Sequence, residues 1–319
     1  MLKDGGKLGA FIVPTGVGAA IGGFAGDASV FARKLSEKCK LIVNPNVVNA
    51  ACFSGINENM LYVEGYSLDN FFRGKCNLIP SLNNKIGVVF DKSISERVLN
   101  VHINTINAVK TVYGIDVIGY EITDEAAGVE FYVDNSGASM GNVKNLDTLK
   151  AASEKLLNRG AEAIAIVCSF PDDDGEDYAN GIGVDPVGGV EAIISHYISK
   201  ELNVPCAHSP AFENIQISTE VVDSRCSAEY ITPTFLPCIL IGLSQAPKLS
   251  NSEGINIENL DFLAVPYNSL GGVSVLEAVK RDIPIYAIKE NQTVLDVTSE
   301  KLGANCIVLN TYQELVDMM

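Results

Sequence analysis

The run Ala165-Ile166-Val167-Cys168-Ser169-Phe170-Pro171-Asp172-Asp173-Asp174 closes an apolar segment with a thiol, a hydroxyl and three carboxyls. It reads as a buried strand that delivers polar side chains to its carboxyl end, the edge where open α/β sheets hold their ligands. Cys168, Asp172 and Asp173 are therefore the first candidates for chemistry. Of three histidines, His196 falls within a helical pattern and His102 flanks another, so capping or packing accounts for both. His208 differs: it follows the short run Val204 to Ala207 in a small-residue turn before Pro210, where a strand-end base or ligand would be displayed. The carboxyls from Asp172 to Asp185 could hold a hard cation, but they lack the fixed spacing of a calcium loop. Solvated loop carboxylates explain them, and neither a metal nor a cofactor is expected.

Small-residue turns supply the candidate binding groups. Thr15 to Gly23 begins a dinucleotide fingerprint with Gly16 and Gly18, but Ile21 occupies the third glycine position and no acidic residue follows at the required distance. What remains is a turn whose N–H groups could hold a carboxylate or phosphate, or whose glycines only permit close packing. In Asn268 to Ser274, Gly271 and Gly272 let backbone approach a ligand, and Ser274 could cap the next helix or bind an anion. Ser136 and Ser139 lie in a loop of small residues with room for a ligand, although turn chemistry alone explains that composition. Asn46 and Asn49, in the run Asn44 to Asn49 at another strand end, could orient a polar substrate through amide donors and acceptors, or simply form a turn.

Positioning these groups requires a sheet scaffold, and short apolar runs alternate with helical patterns in the manner of strand-helix-strand units. Strands are expected at Leu8 to Val13, Lys40 to Asn44, Lys85 to Phe90, Val117 to Ile122, Ala163 to Cys168, Ile239 to Leu243, Asp261 to Pro266 and Ile283 to Ile288. The clearest helices are Leu146 to Arg159, with a Gly160 stop, and Val187 to Leu202. The expected fold is α/β: two lobes with mostly parallel sheets flanked by helices, residues 1–84 and 85–319, the change placed near Ser81 to Lys85. Gln245 to Asn256 reads as an external connection.

Composition narrows the partners. A 47% hydrophobic content excludes general disorder, and 39 acidic against 23 basic residues, a formal charge of −16, repels nucleic acid and anionic lipid. The eight cysteines contain no Cys-x-x-Cys pair and read mostly as reduced, buried small hydrophobes. Apolar runs are too short to span a bilayer and the first residues lack the pattern of a signal peptide, which predicts a cytoplasmic location. Homo-oligomerisation is left open.

Several segments carry resemblances. Ile21 to Ala28, Asn44 to Asn49, Ser136 to Ser139, Phe170 to Asp173, Gly183 to Pro186 and Ala207 to Ala211 together resemble a family of functionally uncharacterised proteins from bacteria, cyanobacteria and plant plastids. That resemblance implies one shared site for the polar loops and supplies no activity. Asn268 to Ile285 resembles the sugar-nucleotide turn of two-lobed glycosyltransferases. Leu156 to Cys168, followed by a helix and Leu202-Asn203-Val204-Pro205, resembles the first catalytic-cysteine unit of the aspartate/glutamate racemase superfamily. There a strand-end cysteine takes a proton from the carbon beside a carboxylate, and Cys168 matches that position. Phe170-Pro171 departs from the usual Asn-Thr, an acidic insertion follows, and only Cys238 offers a distant second thiol. The resulting expectation is acid-base chemistry on a small carboxylate or other anion, of racemase, isomerase or lyase type. Cys168 or His208 would move the proton, Asp172 and Asp173 would tune it, and Asn46, Asn49, Ser136, Ser139, Gly271, Gly272 and Ser274 would bind. The alternatives are a transferase for phosphorylated or nucleotide-linked substrates and a non-catalytic sensor.

Overall fold

The computed structural model describes residues 6–172, 176–215 and 217–319, with the side chain of Glu176 left aside. Two parallel sheets organise the chain. The first has six strands in the order Ile307–Leu309, Ile285–Ile288, Phe262–Pro266, Leu8–Phe11, Lys40–Val43 and Met60–Tyr62. The second has four, in the order Cys206–Phe212, Ala163–Phe170, Ile86–Phe90 and Val117–Ile122. Every pairing within the two sheets is parallel. Strands buried on both faces read as continuous apolar runs rather than alternating ones, as in Leu8–Phe11 and Phe262–Pro266, each buried throughout. The α/β class with parallel sheets flanked by helices is thus as expected.

The division of the chain is not a single cut. Phe262–Pro266 pairs with Leu8–Phe11, so residues 262–309 return to the first sheet instead of extending the second. Close packing locks this return, because any Cβ at Gly9 would lie 2.1 Å from the Phe262 ring. Leu8–Phe11 therefore sits where the strand order reverses, with Lys40–Val43 on one side and Phe262–Pro266 on the other. Ligand crevices form outside the carboxyl ends of strands at such a switch point.

Ile239 to Leu243 is helical rather than extended. The helix spans Leu236–Ser244, and all nine of its residues are buried. A helix apolar on every side shows no periodicity, and a short run of this kind cannot be told from a buried strand; Pro237 in its first turn is the start signal. Its Leu240 and Leu243 join one continuous core with Phe11 and Tyr62 from the first sheet and Val88 and Val167 from the second. Within the expected external connection, Lys248–Ser250 pairs antiparallel with Asn77–Ile79.

Candidate functional site

Segments that follow strands of both sheets line one cleft of about 710 Å³. From the first sheet come Ile12, Pro14 to Ala19, Asn44 to Asn46, Glu64 and Gly65, and Gly272 to Ser274; from the second come Asp172 and Asn214. The helix Gly188–Leu202 borders this space and contributes Glu191 and Ser195, one turn apart on one face, together with His196.

His208, 6% exposed, lies not in a turn but inside the strand Cys206–Phe212, which runs on through Pro210 because it pairs with Ala163–Phe170, and its ring stacks on Phe170 at 5.1 Å at the cleft wall. Its Nδ1 lies 3.0 Å from Glu191 Oε1, while its Nε2 has no hydrogen-bond partner among the described residues. Burial moves the two groups in opposite directions: His208 falls to about 3 and Glu191 rises to about 8. At neutral pH the pair is uncharged and shares two protons. The Glu191 O–H donates to Nδ1, which leaves the other proton on Nε2; even if the first proton crossed to Nδ1, Nε2 would keep its own. His208 therefore keeps an Nε2–H donor just beneath the cleft surface until Glu191 ionises.

Other lining groups carry unspent polar capacity. His196 Nε2, Asn49 Oδ1, Glu229 Oε2 and Thr232 Oγ1 are buried atoms without hydrogen-bond partners among the described residues. Burial and the nearby Asp185 hold the Glu229 carboxyl well above the usual carboxylate range, and Tyr178 is hydrogen-bonded to it. The Tyr178 ring stacks on Phe24 at 5.0 Å, joining the second-sheet side of the cleft to the glycine-rich loop of the first. Glu64, also raised by burial, is spent as a helix cap: it accepts Tyr66 N–H and Ser67 N–H, each at 3.0 Å, and the Ser67 hydroxyl.

The structure brings Asn46, Asn49, Asp172, His208, Gly272 and Ser274 to this cleft. Asn46 donates to Pro14 O at 3.2 Å, Asn49 donates to the Tyr62 hydroxyl at 3.2 Å, and Asp172 accepts Asn214 N–H at 3.1 Å. Asp173 lies outside the described residues. Ser136, Ser139, Gly271 and Cys168 are not on the cleft wall. Ser136 is exposed and donates to Asp134 Oδ1 at 2.6 Å, which is turn chemistry. Ser139 donates to Pro186 O at 2.7 Å and accepts Gly189 N–H at 2.9 Å, so it anchors the start of the helix that carries Glu191. Gly271 faces Val297.

Cys168 corrects the thiol expectation. Its strand continues two residues further, because Ser169 and Phe170 pair with Ala211 and Phe212, so Cys168 stays inside the sheet. It is fully buried, and burial pushes its thiol well above the ordinary range, the reverse of an activated nucleophile. Alkylation of the native protein should label the half-exposed Cys52 and Cys306 first and spare Cys168 until unfolding; peptide mapping of the labelled sites measures this order. Early labelling of Cys168 would restore the thiol mechanism.

The glycine-rich loop is not a free anion cradle along its middle. Ala20 N–H donates to Gln292 O, Ile21 N–H to Asn291 Oδ1 and Gly22 N–H to Asp27 Oδ1, at 2.8, 2.9 and 2.5 Å. Gly22, at φ +84°, takes the left-handed backbone this arrangement needs. Two buried asparagines act as pegs: Asn44 pairs with both the N–H and the C=O of Val13, and Asn291 does the same for Ile21 while also donating to the Tyr312 hydroxyl. Neither peg was singled out from the sequence; nor were Glu191, His196, Tyr178 and Glu229. For Glu191 and His196 the available signal was polar residues placed on the packed side of an otherwise apolar helix.

The raised carboxyls carry a stability consequence. Burial, opposed by Gly22 N–H and Arg225, takes Asp27 from 3.8 to about 7, and Glu191 rises from 4.5 to about 8. Between those limits these two carboxyls bind more protons in the folded chain than in the unfolded one, so their contribution to stability falls as pH rises; His208, lowered from 6.5 to about 3, acts oppositely only below its ordinary value and offsets one of the two. Thermal unfolding should occur at a higher temperature at pH 5 than at pH 8, and Glu191→Gln should shrink the difference. A rise in melting temperature from pH 5 to pH 8 would contradict the assignment.

No helix among the described residues is long and apolar enough to cross a membrane. No solved structure matches the chain. An uncharacterised lipoprotein of Synechococcus sp. is 40% identical over 315 residues, covering 96% of this chain and 88% of the relative. That relative overturns the cytoplasmic expectation, since its name describes a lipoprotein; no isomerase or lyase supports that part of the reading either. A family model described as a protein of unknown function, DUF3326, matches residues 9–319, and with this extent of agreement the chain belongs to that family.

Proposed function

We propose that this protein is an enzyme that moves protons on a small polar molecule held in the cleft between the two sheets. The observation that carries this reading is the Glu191–His208 pair, 3.0 Å apart at the wall of the 710 Å³ cleft, with His208 Nε2 left without a partner among the described residues. A neutral imidazole whose pKa is held far below its usual value donates a hydrogen bond to a carbonyl or hydroxyl oxygen of the substrate without becoming charged. It stabilises negative charge that develops on that oxygen, and desolvation strengthens the contact. His196, which lines the same cleft with its buried Nε2 unpartnered among the described residues, is the candidate base; the thiol of Cys168 has no part. Incubation of the protein with a panel of small amines, alcohols, sugars and carboxylates in deuterated water should produce deuterium incorporation at carbon in at least one compound. Binding without exchange across the panel would reject the enzyme reading.

A second reading, a non-catalytic small-molecule receptor, is favoured by the lipoprotein name of the 40% identical relative. A cleft between two parallel sheets serves capture as well as turnover. The same panel separates the two, because a receptor gives saturable binding and leaves every compound chemically unchanged.

A further inference from the structure

The identity of the ligand can be narrowed from the charges of the cleft, on the reading that the cleft is a small-molecule site. Six carboxylic side chains line it, Glu64, Asp69, Asp172, Asp185, Glu191 and Glu229, and no Lys or Arg does among the described residues. A carboxylate or phosphate entering here would meet this wall with the peptide dipoles at the starts of the helices Gly188–Leu202 and Val273–Lys280 in its favour and one guanidinium near by, that of Arg225, which lies over the Phe24 ring at 4.5 Å. The N–H groups of Ala20, Ile21 and Gly22 are already committed within the protein. The formal charge of −16 acts in the same sense over longer range and draws cations toward the cleft.

Two further observations point to an organic cation rather than a bare metal ion. Among the described residues no group of three or more His, Cys, Asp or Glu side chains is placed to hold a metal. The carboxyls are instead dispersed among aromatic rings: Tyr178, hydrogen-bonded to Glu229 and stacked on Phe24, lines the cleft with Phe24, Tyr230 and Phe235. Aromatic faces beside a carboxylate suit an ammonium group, which takes both the ring quadrupole and a charge-assisted hydrogen bond. Independent of the charge count, the wall holds His208, more than nine-tenths buried with Nε2 unpartnered, and Glu229 Oε2, a buried acceptor without a donor among the described residues.

We infer that the cleft binds a small organic cation, an amine whose ammonium group is received by Glu229 beside Tyr178 while its body lies on the aromatic side of the wall and its reacting or polar end reaches His208. The ammonium displaces the proton that burial holds on Glu229 into solvent and pairs with the resulting carboxylate. Asp185 adds negative potential at the ammonium end, and Glu191 stays with His208.

Titration calorimetry on the full chain at neutral pH tests this with matched probes: phenethylamine against phenethyl alcohol and phenylacetate, and 1,4-diaminobutane against 1,4-butanediol. At least one amine should bind about tenfold more tightly than its uncharged partner, the scale of one modest charge-assisted contact, and phenylacetate should bind more weakly than phenethylamine. Glu229→Gln, which keeps the shape and cannot ionise when the ammonium arrives, should abolish the preference, with Asp185→Asn as a second variant should the first fail to fold. Equal or tighter binding of the alcohols or of phenylacetate, absence of binding by both amines, or an amine preference that survives both substitutions would overturn the inference. Calorimetry needs no turnover, so amine selectivity without deuterium exchange fails the enzyme reading alone. Exchange on an uncharged or anionic compound fails the cation inference alone.

Discussion

Replacing His208 by Gln should lower deuterium incorporation into the exchanging compound by roughly 10²–10⁴-fold, the range of a lost acid-base contact, while leaving the fold in place. His208 lies within Cys206–Phe212 and is wedged between Phe170 and Glu191, so an isosteric amide keeps the strand while losing the imidazole donor. The substitution should reduce the rate at saturation more than the affinity, since the contact strengthens as charge develops on the substrate oxygen. Glu191 supplies the discriminating control. In the native protein the rate should fall as pH rises through about 8, because ionised Glu191 then accepts the Nδ1 proton and leaves Nε2 without one. In Glu191→Gln the side-chain amide donates to Nδ1 at every pH, Nε2 stays protonated, and the alkaline fall should disappear. Tyr62, Cys168 and Cys238 near Glu191 are raised by burial from values already above neutrality, so none of these three imitates this limb; Glu229 is a raised carboxyl too, and Glu229→Gln should leave the limb in place. A profile unchanged in Glu191→Gln would remove the pair from the mechanism.

Asn291→Ala should cost about 3–6 kcal/mol and lower the melting temperature by roughly 10 °C or more. Asn291 is fully buried and satisfies three groups at once: the N–H and C=O of Ile21, at 2.9 and 2.7 Å, and the Tyr312 hydroxyl at 2.9 Å. Alanine leaves the buried Tyr312 hydroxyl and the part-buried N–H and C=O of Ile21 without this partner, and a buried group so left carries a penalty of about 1–3 kcal/mol. Tyr312 is itself fully buried against Phe11 and Phe31, so water cannot take the place of the lost amide without opening that packing. Because Ile21 belongs to the glycine-rich loop, ligand binding should weaken together with stability. Asn291→Asp keeps the acceptor for Ile21 N–H but loses both donors, so it should fall between the native protein and the alanine variant. Thermal unfolding curves for the three proteins check the order; an alanine variant within about 1 kcal/mol of the native protein would show that the loop is held elsewhere.

Much of the scaffold was legible in the residues. Parallel strands buried on both faces carry their signal in composition, and Leu8–Phe11, Lys40–Val43, Ile86–Phe90, Ala163–Phe170 and Phe262–Pro266 lie where the apolar runs place them. The helices Leu146–Asn158 and Gly188–Leu202 likewise follow from periodicity and stop signals. Ile239 to Leu243 reads as a strand for a local reason: the helix Leu236–Ser244 that contains it is buried on every side and has no polar face to reveal its period.

The site divides differently between sequence and structure. Residue type and strand-end position, both local properties, placed Asn46, Asn49, Asp172, His208, Gly272 and Ser274 among the candidates, and these six line the cleft. What an ionisable group does there depends on burial and on neighbours distant in sequence, which no local pattern encodes. Cys168 and His208 occupy neighbouring strands of one sheet, yet the first is enclosed by core side chains and the second meets the cleft. Glu191 acquires its raised pKa and its partner only when the helix Gly188–Leu202 packs on the strand Cys206–Phe212, and the cleft itself exists only because residues 262–309 return to the first sheet. The sequence by itself determined which elements form and which polar groups their ends carry, because propensity and periodicity are local. Tertiary structure alone decided which of those groups lose water, share protons and face one another, because desolvation and proximity arise only on packing.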